Sequence, residues 1–196
     1  MAYGFKLDRD GAYDLVTVVM NDSTIYGIGD AVILAGSSAS ALDRRSAPTV
    51  TRASAGDTNA IYGVVVSVDQ MTAPAASLSL TRRHRPASVT MEALVARAAP
   101  GKRFIIVPDA ALAATDIGSV ANLATIADAN TTTGYSTMAL SASSKQASGN
   151  ATYQLRIVDF VDTHDGDKAE LVIGTDIVPV IVEINNIQGF HATAGY

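Results

Sequence analysis

The distribution of β-branched residues constrains this chain more than any other feature of its sequence. Val (19) and Ile (14) far outnumber Leu (12), and they gather in short runs that end at Gly, Pro, Asp or Asn. Val, Ile and Thr are restricted about χ1 and pack well on a pleated surface, so such runs favour strands. Turn residues between the runs are typical of strand boundaries. We therefore predict an all-β or β-dominated fold, a compact barrel-like or sandwich-like domain with little helix.

Five segments are predicted to supply the core strands. They are residues 25–34, 61–68, 104–107, 153–158 and 177–184. The first is predicted to be a hairpin around the Gly29-Asp30 turn. Segment 61–68 is nearly continuous in apolar residues, which fits burial on both faces. Segment 177–184 contains Pro179, which favours an edge position.

Other segments carry simpler patterns. Residues 15–20 form a β-branched run and are predicted to be a strand, and residues 89–98 fit either a short helix or a strand. The remaining predictions are a surface excursion over 35–60, a loop over 71–87, a short amphipathic helix within 110–128, a charged turn over 162–167 and a short strand over 171–173.

Composition excludes several classes of protein. The net charge is −5, which argues against a dedicated nucleic-acid binder. Apolar runs are too short for a membrane span, and the N-terminus lacks the apolar stretch of a signal peptide. With no cysteine, disulfides and thiolate metal sites are excluded. Only 17% of residues are charged and Ala, Ser, Thr and Gly make up 42%, which suits a surface partly covered by other subunits.

The sequence contains no complete catalytic or ligand-binding motif. Residues 134–137 (Gly-Tyr-Ser-Thr) lack the second glycine of a nucleophile elbow, and Gly27 and Gly29 lack the third glycine of a dinucleotide loop. The acidic turn at 162–167 does not match the calcium-loop spacing. The three histidines are scattered. We therefore predict no enzyme, no cofactor, and no catalytic or metal-binding residue.

Residues 1–14 are predicted to form an extended N-terminal arm, followed by a single β-rich domain over 15–196. The arm carries the aromatic residues Tyr3, Phe5 and Tyr13 among glycines. Aromatic anchors often dominate the energy of an interface, so these three are candidate contacts with a partner. The alternative is that the arm packs back on its own domain.

A basic cluster is the second candidate for partner contact. Arg82, Arg83 and Arg85 crowd one short stretch of an otherwise acidic chain. Guanidinium groups pair bidentately with carboxylates, so these residues are predicted to meet acidic groups on a protein partner. The alternative is a solvated loop.

A series of short motifs along the chain points to a family. In order, they are Met1-Ala2-Tyr3-Gly4-Phe5, Ile25-Tyr26, Gly29-Asp30-Ala31-Val32, Ile61-Tyr62-Gly63-Val64-Val65, Phe104-Ile105-Ile106-Val107, Asp116-Ile117-Gly118, Thr133-Gly134-Tyr135-Ser136, Leu155-Arg156-Ile157 and Val182-Glu183-Ile184-Asn185. This order and spacing resembles the small structural proteins of tailed bacteriophages that decorate or cement the head.

The resemblance implies a structural role without catalytic residues. It implies binding to the major capsid protein on the outer surface of the virion, after synthesis in the host cytoplasm. It also implies self-association as a small homo-oligomer, a dimer or trimer, with no nucleic acid and no membrane as partners.

Two other functions are weighed against it. A receptor- or glycan-binding module on the phage head or fibre would use the Ser/Thr-rich loops. A cell-wall hydrolase would need paired carboxylates at a fixed separation. Asp109 with Asp116, or Asp159 with Asp162, are available, but the sequence singles out neither pair.

Overall fold

The computed structural model describes residues 4–8, 12–40, 46–56, 59–69, 84–124, 127–147, 150–161 and 171–188. Within these ranges the chain forms twelve strands and two 3-10 turns, Ala114–Asp116 and Ala142–Ser144. The strands are Lys6–Leu7 (β1), Leu15–Met20 (β2), Tyr26–Gly27 (β3), Ala31–Ser40 (β4), Ser46–Arg52 (β5), Gly63–Asp69 (β6), His84–Arg85 (β7), Met91–Arg97 (β8), Arg103–Ile106 (β9), Val120–Ala121 (β10), Leu155–Phe160 (β11) and Val180–Ile184 (β12). The prediction of a β-dominated fold with little helix is confirmed.

Five of the strands close into a barrel, in the order β2-β5-β4-β6-β8. Neighbouring strands are antiparallel except β2 and β5, which pair in parallel through Val19 and Thr49. Apolar side chains from all five strands, together with Tyr26 of β3, form one buried cluster that fills the barrel. Its members are Val18, Met20, Tyr26, Val32, Val50, Val65, Ala93 and Val95.

A second, antiparallel sheet has the strand order β1-β9-β12-β11-β10. Burial alternates along β9 and β12, so one face of this sheet points inward. Its buried side chains share a cluster with outward-facing residues of the barrel. The members that join the two layers are Ala31, Val64 and Ala96 from the barrel and Phe104, Ile106, Leu155, Ile157, Val180 and Val182 from the sheet.

Small residues allow the barrel strands to approach closely. A Cβ on Gly63 would lie 2.5 Å from the carbonyl oxygen of Ala96 and 2.5 Å from Val95 Cγ1. No L side chain fits at that distance without moving the backbone of β8. Part of the excess of small residues therefore serves packing within the chain.

Several strand predictions are confirmed. Residues 15–20 form β2, and segments 61–68, 104–107, 153–158 and 177–184 contain most of β6, β9, β11 and β12. Of the two alternatives for 89–98, the strand is correct, since β8 lies there.

The hairpin predicted for 25–34 is wrong. Gly29 turns the chain with a φ of +93°, but β3 on one side pairs with β7, and β4 on the other pairs with β5 and β6. The surface excursion predicted for 35–60 is also wrong, because β4 and β5 form the long hairpin there. Thr49, Val50 and Thr51 lie in β5, where β-branched residues are favoured.

Three further predictions fail for reasons of packing. The helix within 110–128 is replaced by a 3-10 turn and the short strand β10, since Leu112 is buried while Ile117 is 47% exposed and the two share no buried face. Residues 171–173 are not a strand but lead into a turn over 173–175. Strand β12 lies between β9 and β11, so its predicted edge position is wrong. Pro179 lies just before the first residue of the strand and therefore does not exclude β12 from the centre of the sheet.

Candidate interaction surfaces

The aromatic residues of the N-terminal arm lie in two different settings. Tyr3 falls outside the described residues. Phe5 is 2% exposed, and its ring meets the Phe104 ring edge-on at 6.1 Å between centroids. Its backbone N–H donates to the carbonyl oxygen of Gly29 at 2.9 Å. Phe5 is therefore a core residue, which corrects its prediction as a contact with a partner.

Tyr13 is half-buried beside the same core. Its ring lies 5.5 Å from Phe104, centroid to centroid, and its hydroxyl donates to the carbonyl oxygen of Arg103. Burial raises the pKa of the Tyr13 hydroxyl. The segment that includes Phe5, β1 and Tyr13 thus packs on its own chain, as the alternative prediction held, through the edge strand of the sheet.

The basic cluster is described at one of its three arginines. Arg82 and Arg83 fall outside the described residues. The Arg85 side chain is fully buried and forms an ion pair with Asp22, at 2.7 Å between Nη1 and Oδ1. Its contacts lie within the chain, so Arg85 is a structural residue and not the surface contact that was predicted.

Four backbone and ring contacts complete the Arg85 environment. Nη1 donates to Thr24 O at 2.6 Å, Nη2 donates to Asp22 O at 2.5 Å, Nε donates to Val89 O at 2.5 Å, and the guanidinium carbon lies 5.4 Å from the centre of the Tyr26 ring. Burial lowers the pKa of Arg85, and the neighbouring carboxylate of Asp22 opposes that shift. The guanidinium thereby joins the β3–β7 pair to the loops on either side of it.

Of the carboxylates weighed for hydrolysis, Asp109 and Asp116 serve local structure, and Asp162 falls outside the described residues. Asp109 Oδ1 accepts the Ala142 N–H at 2.8 Å, at the start of a 3-10 turn. Asp116 Oδ2 accepts the Ala113 N–H at 2.8 Å and pairs with Lys145 at 2.6 Å. In the described part of the chain, no three His, Cys, Asp or Glu side chains are placed to hold a metal ion.

An exposed apolar turn is the feature that the sequence reasoning missed. We call residues 171–177 the apolar turn. Its large aliphatic side chains are 39% (Leu171), 56% (Val172), 43% (Ile173) and 49% (Ile177) exposed. Consecutive aliphatic residues at this exposure on a well-formed turn are typical of an interaction surface.

Hydrogen bonds hold the apolar turn in one conformation. The Val172 N–H donates to Asp176 Oδ2 at 2.7 Å, and the Asp176 N–H donates to Val172 O at 2.8 Å. The Gly174 N–H donates to Leu112 O at 3.0 Å, which fixes the turn to the body of the protein. Residues 174–176 (Gly-Thr-Asp) are a typical turn sequence and could have identified this turn. The Leu-Val-Ile run before them predicts a strand instead.

A second apolar feature lies between β1 and β6. We call it the apolar cleft, and its volume is about 420 Å³. It is lined by Phe5, Lys6, Leu7, Ile28, Val64, Val65, Val66 and Tyr135. A volume above roughly 300 Å³ and an apolar lining are typical of a site that receives another group.

Comparisons with known proteins give no assignment. Among the described residues, no helix is long and apolar enough to cross a membrane. No protein-family model, curated protein or solved structure matches the chain.

Proposed function

We propose that this chain is a structural protein of a tailed-bacteriophage virion, which binds the outer surface of the capsid and stabilises the lattice of the major capsid protein. The series of motifs that resembles head decoration proteins motivates the proposal. The observation that carries it is the apolar turn, a hydrogen-bonded surface element that leaves four aliphatic side chains partly exposed to solvent. Such an element suits a permanent contact with protein.

The chemistry of the apolar turn favours a protein contact over a reaction. Thr175 and Asp176 are its only polar side chains, and the Asp176 carboxylate already accepts the N–H of Val172. Covering exposed aliphatic surface releases about 25 cal/mol per Å². The turn therefore supplies association energy within an assembled layer on the capsid.

Stabilisation of a shell requires only that the protein bind the assembled lattice. Any ligand that binds the assembled form and not its separated parts stabilises the assembled form by mass action. A lattice offers many equivalent sites, so a modest contact repeated across the shell gives a large total effect.

Co-sedimentation with expanded empty capsids tests the proposal. We expect the purified protein to pellet with such capsids in a saturable manner and to raise the temperature at which they come apart. A protein that stays in the supernatant at every concentration would contradict the proposal. Binding to a glycan array in place of capsids would favour a receptor-binding module.

Polar substitutions in the apolar turn should weaken capsid occupancy. Burying an aliphatic side chain is worth about 1.5–3 kcal/mol when complete. Val172 and Ile173 are about half exposed, so the double variant Val172→Ser, Ile173→Ser should raise the apparent Kd for capsids roughly tenfold or more. The measurement is the bound fraction across a concentration series.

The matched control is Leu15→Ser. Leu15 is 51% exposed but lies on β2, outside the apolar turn. It should leave capsid occupancy unchanged. Equal losses in the control and the double variant would show that the turn has no special part in binding.

A further inference from the structure

A buried acid, Asp30, lies where three parts of the chain meet. It is fully buried at the turn between β3 and β4. Its Oδ2 accepts the Gly27 N–H at 2.8 Å, and its Oδ1 has no hydrogen-bond partner of ordinary geometry within the described ranges. An ionised carboxylate accepts about four hydrogen bonds and is costly to bury without them. The site therefore suits the neutral acid better than the carboxylate.

Residues 4–8, which we call the N-terminal segment, pack against the groups beside this acid. The Phe5 N–H donates to the carbonyl oxygen of Gly29, the residue before Asp30, at 2.9 Å. A Cβ on Gly4 would lie 2.3 Å from Ser136 Cβ and 2.7 Å from Gly29 O, so the backbone of the segment is in close contact with both residues. The Ser136 hydroxyl in turn lies near the Asp30 carboxyl and lowers its pKa.

Few interactions hold the N-terminal segment in place. Strand β1 has two residues and lies at the edge of its sheet, where it pairs with β9 alone. The Asp8 N–H donates to Arg103 O across a long 3.4 Å. Edge segments with few bonds open at a lower free energy than core strands do. Opening also separates the Phe5 ring from Phe104, which keeps the open form a minor one.

We propose that the protonation state of Asp30 controls how firmly the N-terminal segment is held: the segment opens more often when Asp30 is ionised. Opening lifts Gly4 from Ser136 and admits water, which supplies the hydrogen bonds that Oδ1 lacks in the closed form. The neutral acid gains much less from hydration, so it favours the closed form. The barrel stays folded throughout, and this device does not depend on what the protein binds.

The charged groups around Asp30 do not replace its missing partner. Arg52 of β5 and Asp128 of the loop that leads to Ser136 both act on Asp30, with opposite signs. They also pair with each other, at 2.9 Å between Arg52 Nη1 and Asp128 Oδ1. Strand β6 meets the junction through Val65, whose N–H donates to Asp30 O at 2.9 Å, and the N-terminal segment meets it through its two uncharged residues, 4 and 5.

The direction of the pH effect follows from linkage. Burial raises the pKa of Asp30 from 3.8 to about 6 in the closed form, whereas a hydrated carboxyl returns towards its ordinary value. Between pH 4 and pH 6 the closed form therefore holds a proton that the open form has released. The equilibrium constant for opening rises with pH through this window and is constant above it. A difference of about two pKa units limits the rise to about a hundredfold.

Amide hydrogen exchange from pH 4 to pH 8, measured by NMR on the full chain, tests the proposal. The protection factor removes the intrinsic pH dependence of exchange and is compared for the Phe5 and Asp8 amides and for the amides of the β2–β8 pair. We expect the protection of Phe5 and Asp8 to fall by more than about tenfold between pH 4 and pH 7. At pH 7 it should be well below the protection of the β2–β8 amides.

Two variants assign the effect to Asp30. Asp30→Asn keeps an acceptor for the Gly27 N–H and cannot ionise, so its Phe5 protection should be the same from pH 4 to pH 8. Ser136→Ala removes a group that favours the charged form of Asp30. Its fall in Phe5 protection should therefore continue to a higher pH than in the wild type.

Three results would each overturn the proposal. The first is a wild-type Phe5 protection that does not change with pH, and the second is an equal fall in Asp30→Asn. The third is a Phe5 protection equal to that of the β2–β8 amides at every pH, because exchange would then occur only through unfolding of the whole chain. Capsid binding plays no part in any of these measurements, so the proposed function stands or falls separately.

Discussion

Replacing Arg85 with alanine is expected to reduce the free energy of unfolding by about 3–5 kcal/mol, the usual effect of removing one partner of a buried ion pair. The variant leaves the Asp22 carboxylate without its cation, at a site where Arg85 itself is fully buried. The carbonyl oxygens of Thr24 and Val89 lose their donors as well. For a chain of this length, such a loss lowers the melting temperature by roughly 10 °C.

Two other variants separate this effect from a general loss of charge. Arg97 pairs with Asp14 at 3.2 Å, but the two side chains are 41% and 60% exposed. Arg97→Ala should therefore cost less than about 1 kcal/mol. Arg85→Lys keeps the charge but loses the planar fork, so its stability should fall between those of the wild type and Arg85→Ala. Urea unfolding measures all three, and similar losses for Arg85→Ala and Arg97→Ala would contradict the buried network.

The strands were predictable where the side chains themselves carry the pattern. Continuous β-branched runs such as 15–20 and 61–68 identify β2 and β6, because few other structures accommodate them. Pairing was not predictable in the same way. The Gly29-Asp30 turn was recognised, but its flanking strands pair with segments distant in the chain, and local spacing contains no information on such contacts.

The candidate contacts were harder to predict than the fold. A cluster such as Arg82, Arg83 and Arg85 has the same sequence pattern whether its side chains are exposed or buried. For Arg85 the outcome depends on the carbonyl groups of distant loops and on Asp22, 63 residues earlier in the chain. The apolar turn was missed because a Leu-Val-Ile run has the composition of a buried strand, and exposure depends on tertiary packing.

Asp30 lies at the junction of the barrel with the N-terminal segment and is fully buried. Oδ2 accepts the Gly27 N–H at 2.8 Å, whereas Oδ1 has no hydrogen-bond partner of ordinary geometry among the residues that the structure describes. Burial raises the pKa of Asp30 from its usual 3.8 to about 6. The nearby Ser136 hydroxyl, the Gly27 N–H and Arg52 oppose that shift, and Asp128 reinforces it.

The sign of the resulting pH dependence follows from the raised pKa. Between pH 4 and pH 6 the folded chain holds a proton on Asp30 that the unfolded chain has released, so stability falls as pH rises through this window. Each pKa unit is worth about 1.36 kcal/mol, which makes the ionised carboxylate cost the fold about 3 kcal/mol above pH 6. A neutral side chain of the same shape avoids that cost at every pH.

Asp30→Asn should therefore be more stable than the wild type at pH 8, by about 3 kcal/mol, and nearly equal to it at pH 4. The asparagine oxygen keeps the bond from the Gly27 N–H, and its amide group faces the Ser136 hydroxyl. Urea unfolding of both proteins from pH 4 to pH 8 gives the difference directly, and the other carboxylates, common to both proteins, largely cancel in it. Two outcomes would contradict this prediction: a difference in free energy of unfolding that does not change with pH, or an asparagine variant that is less stable than the wild type at pH 8. Either would show that partners in the folded protein stabilise the charge of Asp30.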